Sequence, residues 1–237
     1  MWLLYSKKRM IRTLLASALF ASLLHAAGDL QKLRDREDRP ALDRAAASLQ
    51  QTADKAPNDA NAAYQAAVAW SYVAEVAMEV RDKNAAQRAA EQGVKDAEKA
   101  VALNGHNAEY YRILGTLCGQ VIPANPILGA LSYGRRAKEA LDKAIELDPK
   151  SSSAFVSHGV GNYYLPTNFG GGPDNAIKDF HRAIELDPKN ADAYLWLGLA
   201  LRKNHQDPQA REAFEKSLQL DPDRVWTKQQ LEKTPAK

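Results

Sequence analysis

AKEALDKAIELDP at Ala137–Pro149 returns as AIKDFHRAIELDP at Ala176–Pro188 and again as AREAFEKSLQLDP at Ala210–Pro222. In each copy the apolar residues recur three and four positions apart, which places them on one face of a helix. The closing Asp-Pro ends that helix, because proline has no N–H to donate and its ring clashes with the preceding turn. The last two copies end 34 residues apart and the first two 39 apart, so one helical phrase recurs with room for a second helix in every unit.

Ala191–Arg224 shows the unit most clearly. Tyr194, Leu197, Gly198 and Leu201 fall on its first helix, and Ala210, Phe214 and Pro222 on its second. Small Gly198 and Ala210 let the helices approach, while Leu197, Leu201 and Phe214 fill the seam. Asp207-Pro208 is expected to open the second helix, with Asp207 as the cap and Pro208 at the first helical position. Residues 152–190 form the same unit stretched by an insert at Tyr163–Gly172, where Pro166 and three glycines predict a loop that ends at Pro173. Upstream, Gly105 to Pro149 is 44 residues and Pro57 to Gly105 is 48. Tyr111, Leu114 and Gly115 match the first helix there, and Ala137, Leu141 and Ala144 the second. The surplus lies in Val121–Arg136, which either extends the second helix backwards as a hydrophobic flap or forms a short helix of its own. Ala60–Arg81 and Ala85–Leu103 read as a long pair, and residues 28–38 and 39–56 as a shorter one. Residues 223–233 read as a capping helix, with Trp226 packed inside it.

A 34-residue helix-turn-helix period with these residues resembles the tetratricopeptide-repeat (TPR) superfamily over about residues 41–223. The resemblance implies an all-α fold, a right-handed solenoid of about five helical pairs with lengthened helices and inserts in the middle units, forming a single domain over 28–237. The concave face of such an array is lined mainly by first helices. The insert at Val121–Arg136, and Leu165-Pro166 with Phe169-Gly170-Gly171 before Ala176, are similar to a narrower group. That group comprises the exported T-components of TRAP transporters and the regulator-of-microtubule-dynamics proteins. The lipid-attachment cysteine of its lipoprotein members is absent here.

The N-terminus has a separate character. Lys7, Lys8, Arg9 and Arg12 precede an apolar run at Leu14–Leu24, and His25-Ala-Ala-Gly28 supplies small residues for cleavage, so residues 1–27 read as a secretory signal, the alternative being an uncleaved membrane anchor that the short run fits less well. Met10 is an alternative start. The expected location is periplasmic or secreted, with no stable membrane anchor once the signal is cleaved. Of 32 Lys+Arg and 29 Asp+Glu, four bases and no acids lie in residues 1–27. The remainder is close to neutral, so its charge gives no support to nucleic-acid binding. One cysteine, Cys118, rules out an internal disulfide and reads as a small buried apolar residue.

Catalytic, metal and cofactor patterns are absent: the five histidines are scattered, and there is no phosphate loop or nucleophile elbow. A non-enzymatic protein without cofactor or metal is expected. The positions at which TPR domains clamp a terminal carboxylate carry Arg112, Thr116, Ser157, Asp192 and Trp196. Of these only Arg112 suits an anion. His158 and Asn162 stand at apolar positions of a first helix, four apart and on one face. Either they bond to each other, to a loop carbonyl or to water, or they join Tyr163, Tyr164 and Asn168 around a pocket under the insert. Trp196 lies off the packing face, toward the groove, as a contact or a packing residue. Two functions are compatible with this pattern. One is an exported scaffold holding a protein or peptide partner on its concave face; the other is a carrier or transport accessory enclosing a small apolar or amphipathic ligand.

Overall fold

The computed structural model describes residues 29–124 and 129–235. Residues 1–27, expected to form a signal, and the centre of the Val121–Arg136 insert lie outside them. Helices pair in chain order: α1 (29–35) with α2 (Arg39–Lys55), α3 (Ala60–Glu79) with α4 (Lys83–Leu103), and α5 (Ala108–Val121) with α6 (Arg135–Leu147). The series continues with α7 (Ser152–Tyr164) and α8 (Pro173–Leu186), then α9 (Ala191–Lys203) and α10 (Asp207–Leu220), and closes with α11 (Val225–Glu232). The chain is an all-helical TPR-type solenoid of five pairs and a cap. Successive first helices α3, α5, α7 and α9 touch one another and form the inner layer.

The repeated phrase acts through its last two residues. Asp148, Asp187 and Asp221 leave the helix, and their N–H groups still donate to the carbonyls of Ala144, Ala183 and Ser217. Each carboxylate then turns forward and accepts the N–H of the residue after proline: Lys150, Lys189 and Asp223. The proline between them cannot extend the helix, so the chain turns there. Most of the other starts are capped by an Asp, Asn or Ser side chain, including Asp59, Asp82, Asn107, Ser151 and Asn190.

One expected cap is replaced. Asp207 is the first residue of α10 and Pro208 the second, while Gln206 holds the cap position without a side-chain bond. The turn is too short for anything else. His205 takes a left-handed φ of 58°, the His205 N–H donates to Arg202 O, and the Gln206 N–H donates to Leu201 O. Gln206 thus closes α9 and starts α10 in one residue.

The two helices of a pair meet where a glycine faces a bulky side chain. A Cβ at Gly115 would stand 2.6 Å from Leu141 Cγ, one at Gly159 2.6 Å from Phe180 Cε1, and one at Gly198 2.6 Å from Phe214 Cε1. Phe180 and Phe214 are fully buried as a result. The long pair uses alanine for the same purpose: Ala63, Ala66, Ala67, Ala74 and Ala77 of α3 and Ala86, Ala90, Ala97 and Ala100 of α4 are all buried. In the Val121–Arg136 insert, the described parts are a 3-10 turn at Ile122–Ala124 and a π-helical stretch at Ala130–Gly134 that runs on into α6. The π-helical stretch therefore extends the second helix backwards against α5, while the 3-10 turn follows directly on α5 and packs against α4.

The curl brings the ends of the array together. Arg34 of α1 pairs with Asp192 of α9 at 2.8 Å, and Arg36 with Asp223 at 2.7 Å. Arg224, at the start of α11, reaches Glu75 of α3 at 2.8 Å and also pairs with Glu79.

Phe214→Ala and Phe180→Ala should each cost about 3 to 5 kcal/mol in chemical denaturation, since an aromatic ring is removed from a closed seam. Gly198→Ala should cost about 1 to 3 kcal/mol, because the methyl group displaces the Phe214 ring.

Candidate functional site

Two groups of side chains stand out on the inner side, and they divide the residues singled out in the sequence. The first is aromatic. At the end of α7, Tyr163 and Tyr164 meet Trp196 of α9, with ring centroids 5.8 and 6.1 Å away, and Trp196 meets Trp226 of α11 at 5.4 Å. All are edge-to-face, the arrangement ring quadrupoles favour. Lys203 closes one side, its Nζ lying 4.3 Å from the Tyr163 ring centre and donating to the Tyr163 carbonyl. Tyr164 remains 56% exposed, and Phe169 in the following loop 70%. A four-ring cluster therefore reaches the surface at one rim of the inner face. Trp196 is half-buried, so it packs and faces the rim at once.

The insert that follows is tied to the end of α7 and the start of α8. Its 3-10 turn spans Thr167–Phe169, and Gly170 and Gly172 take φ values of 87° and 100°, which a side chain would oppose. The Gly172 N–H donates to Asn162 O, and Asn175 Nδ2 donates to the carbonyls of Gly170 and Gly171. Asn168 is exposed on this turn.

His158 and Asn162 point elsewhere. His158 Nδ1 lies 2.8 Å from Asp179 Oδ2 of α8, and Asn162 Nδ2 donates to the same oxygen at 2.7 Å. The two side chains are 3.4 Å apart, and His158 Nε2 is 3.5 Å from Asp142. They serve the α7–α8 seam, while Tyr163 and Tyr164 turn toward α9. Among the described residues the five candidates thus divide, His158 and Asn162 at the α7–α8 seam, Tyr163 and Tyr164 beside α9, and Asn168 on the exposed turn. Arg112 is engaged as well: its Nε donates to Glu109 at 2.8 Å, and Tyr64 Oη donates to the same carboxylate. Thr116 Oγ1 donates to Ser157 Oγ, and Asp192 is paired with Arg34. The carboxylate-clamp positions are thus largely spent on internal contacts.

The second group escaped the sequence reading. Arg34, Asp35, Glu79 and Arg224 are nearly fully buried, with Glu75 and Asp192 at their edge. Arg34 lies against the Tyr72 ring and Arg224 against Trp226. Burial raises Glu79 above the ordinary carboxylate range and lifts Asp35 to about 6, against the pull of Arg224 and Arg34. Nothing in the local sequence marks these residues, because partners such as Glu79 and Arg224 are 145 positions apart. Cys118 is fully buried and its thiol is pushed up to about 11. Among the described residues no group of three or more His, Cys, Asp or Glu side chains could hold a metal ion, and no helix is long and apolar enough to cross a membrane.

The His158–Asp179 contact has a measurable consequence. The hydrogen bond to Asp179 raises the imidazole pKa above its ordinary value, against the lowering effect of burial. The contact therefore contributes stability that is fully present below ~6.5 and is lost as pH rises through the folded value. An NMR titration should place His158 above the free-histidine midpoint, and Asp179→Asn should bring it down and remove that fall in stability.

Comparison with known proteins agrees with this architecture. The family model for regulator of microtubule dynamics protein 1-3 matches residues 23–165, and a tetratricopeptide-repeat model matches residues 170–225. No curated protein matches the sequence. Among solved structures, a thermophilic TPR protein of Thermus thermophilus superposes with a TM-score of 0.58 at 17% identity, covering 80% of this chain and 90% of that one. The HusA haemophore of Porphyromonas gingivalis gives 0.56 at 21% identity, covering 73% and 93%. At these identities the likeness is one of fold. The match over residues 23–165, more than half the chain, shows that the protein belongs to the regulator of microtubule dynamics protein 1-3 family, with a further tetratricopeptide repeat completing its solenoid.

Proposed function

We propose that the protein is an exported, non-catalytic scaffold that grips a short segment of a protein partner at the aromatic rim formed by Tyr163, Tyr164, Trp196 and Trp226, with Phe169 beside it. TPR arrays in general work as interaction scaffolds, which supports the coarse reading. The rim supports the finer one. Tyr164 and Phe169 are large, exposed and held on a stitched turn, and rigid aromatic side chains at a groove edge are the usual anchors of binding energy. The ion pairs across the inner face leave less room for a long peptide laid along the whole array, so the rim is the better site. Export rests on the basic start and apolar run of residues 1–27.

A second reading has a specific observation in its favour. Four clustered rings also suit a flat apolar or amphipathic small molecule, and one structural neighbour is by name a haemophore. In that reading the protein is a carrier or transport accessory.

Native mass spectrometry of the protein isolated from its own cell envelope separates the two. A retained polypeptide is the expected result; a retained small mass with no polypeptide would transfer the proposal to the carrier. The same spectrum should show a chain beginning after Ala26 or Ala27, and an uncleaved chain would mean an anchored form in place of a released one. Phe169→Ser, on the exposed loop, should leave thermal stability within about 0.5 kcal/mol, while Tyr164→Ser, which gives up its ring contacts to Tyr163 and Trp196, should cost about 1 to 2 kcal/mol without unfolding the chain. Together they should weaken partner retention by about tenfold or more, and undiminished retention would remove the rim from the binding site.

A further inference from the structure

The contacts that join the two ends of the array differ in kind from those that build it. Among the described residues, one large apolar cluster runs from Leu30 through Val121 and takes in Ala137, and another runs from Val160 to Leu231. No apolar cluster contains residues from both ends. What bridges them is polar. Arg34 binds Asp192 and Arg224 binds Glu75 and Glu79; Arg224 also donates to the Arg34 carbonyl, Arg36 pairs with Asp223, and Gln229 donates to Glu37.

A buried ionic contact is a poor clamp. Withdrawing the charges from water offsets most of their attraction, so its net contribution to closure is small beside the apolar burial on either side. Here the balance is also uneven. Four carboxylates (Asp35, Glu75, Glu79 and Asp192) share two guanidinium groups, and Arg224 Nε is buried without a hydrogen-bond partner. The opposite side of the curl supplies a place to bend. The α6–α7 joint is the thinnest of those between full pairs. Near it stand two polar contacts, Thr116 Oγ1 to Ser157 Oγ at 3.1 Å and His158 Nε2 to Asp142 at 3.5 Å.

We propose that the polar seam is a latch: α1 and α3 part from α9 and α11 while the two apolar clusters stay packed, so the array alternates between a closed and an open curl. The inner face admits a partner in the open form and is occupied by its own ion pairs in the closed one. The latch is a property of the chain alone and does not depend on which partner binds.

The latch is sensitive to pH, and its sign follows from the excess of carboxylates. Glu79 is faced by Arg34 from α1, Glu75 from its own helix, Tyr164 from α7 and Arg224 at the start of α11; Asp35 is faced by Arg34 and Asp192, and Asp192 by Arg34, Arg224 and Arg112. Asp221 adds a further negative charge near Asp35. Because burial raises Glu79 and Asp35, the closed form holds protons that the open form releases to water. Raising the pH from the ordinary carboxylate range through neutrality therefore favours opening. Asp192, which Arg34 holds below its ordinary value despite burial, acts in the opposite sense, and only in stronger acid.

Spin labels at Lys32→Cys on α1 and Lys228→Cys on α11, both exposed, read the seam directly in the full chain. Cys118 can stay in place, since its buried thiol will not compete for the label. At about pH 5.5 the pulsed electron-resonance distance should be single and short. At about pH 9, and in Arg224→Gln at either pH, a longer and broader population should appear. A control pair at Lys32→Cys and Lys83→Cys, inside the first half, should not change. An unchanged seam distance under both conditions overturns the latch, and so does a control pair that lengthens with it, since the opening would then be general unfolding. Should Arg224→Gln fail to fold, the pH comparison on the otherwise wild-type chain decides alone.

Discussion

Within each pair of helices, distance is the governing constraint. Gly159 must face Phe180, and Gly198 must face Phe214, because a methyl group at either glycine would lie well inside van der Waals contact with the ring. That close approach seals the ring from water and sets the spacing of the pair. It also leaves successive pairs with flat faces that can stack. Along α3 and α4 the seam is mostly alanine, with Gly93 of α4 set close against Trp70 of α3, so this longer pair stays tight because its facing side chains are mostly small.

Stacking of such pairs curls the array, and the curl creates features that no pair has alone. It sets Trp196 between Tyr163 and Tyr164 on one side and Trp226 on the other, so residues that would each be ordinary packing in a flat array become a cluster open at the rim. It also carries Arg224 to Glu75 and Glu79, and Arg34 to Asp192. The polar contacts and the aromatic cluster are adjacent, since Arg224 lies over the Trp226 ring.

The inserts contribute less than their irregular sequence suggests. Tyr163–Gly172 supplies the last turn of α7 and a loop pinned by backbone hydrogen bonds, and its main effect is to present Tyr164 and Phe169. His158 and Asn162, polar intrusions on an apolar helix face, are satisfied by Asp179 across the pair. Asp179 falls inside the repeated phrase itself, at a position the other copies fill with Ala140 and Ala213. The phrase thus frames the array and also supplies a partner for its exceptions.

The amino-acid sequence by itself determined the pairs. Helical periodicity, the Asp-Pro stops, the capping residues and the small-against-large positions act over fewer than about forty residues, and each is a local steric or hydrogen-bonding rule. It indicated as well that Cys118 is a packed residue and that, of the carboxylate-clamp positions, only Arg112 suits an anion. Only the tertiary structure decided that His158 serves a seam, that Trp226 joins Trp196, and that Arg34 and Arg224 fasten the ends. The reason is cumulative: each joint between pairs adds a small rotation, and whether Arg224 meets Glu79 depends on the sum of all of them, a quantity that no local pattern encodes.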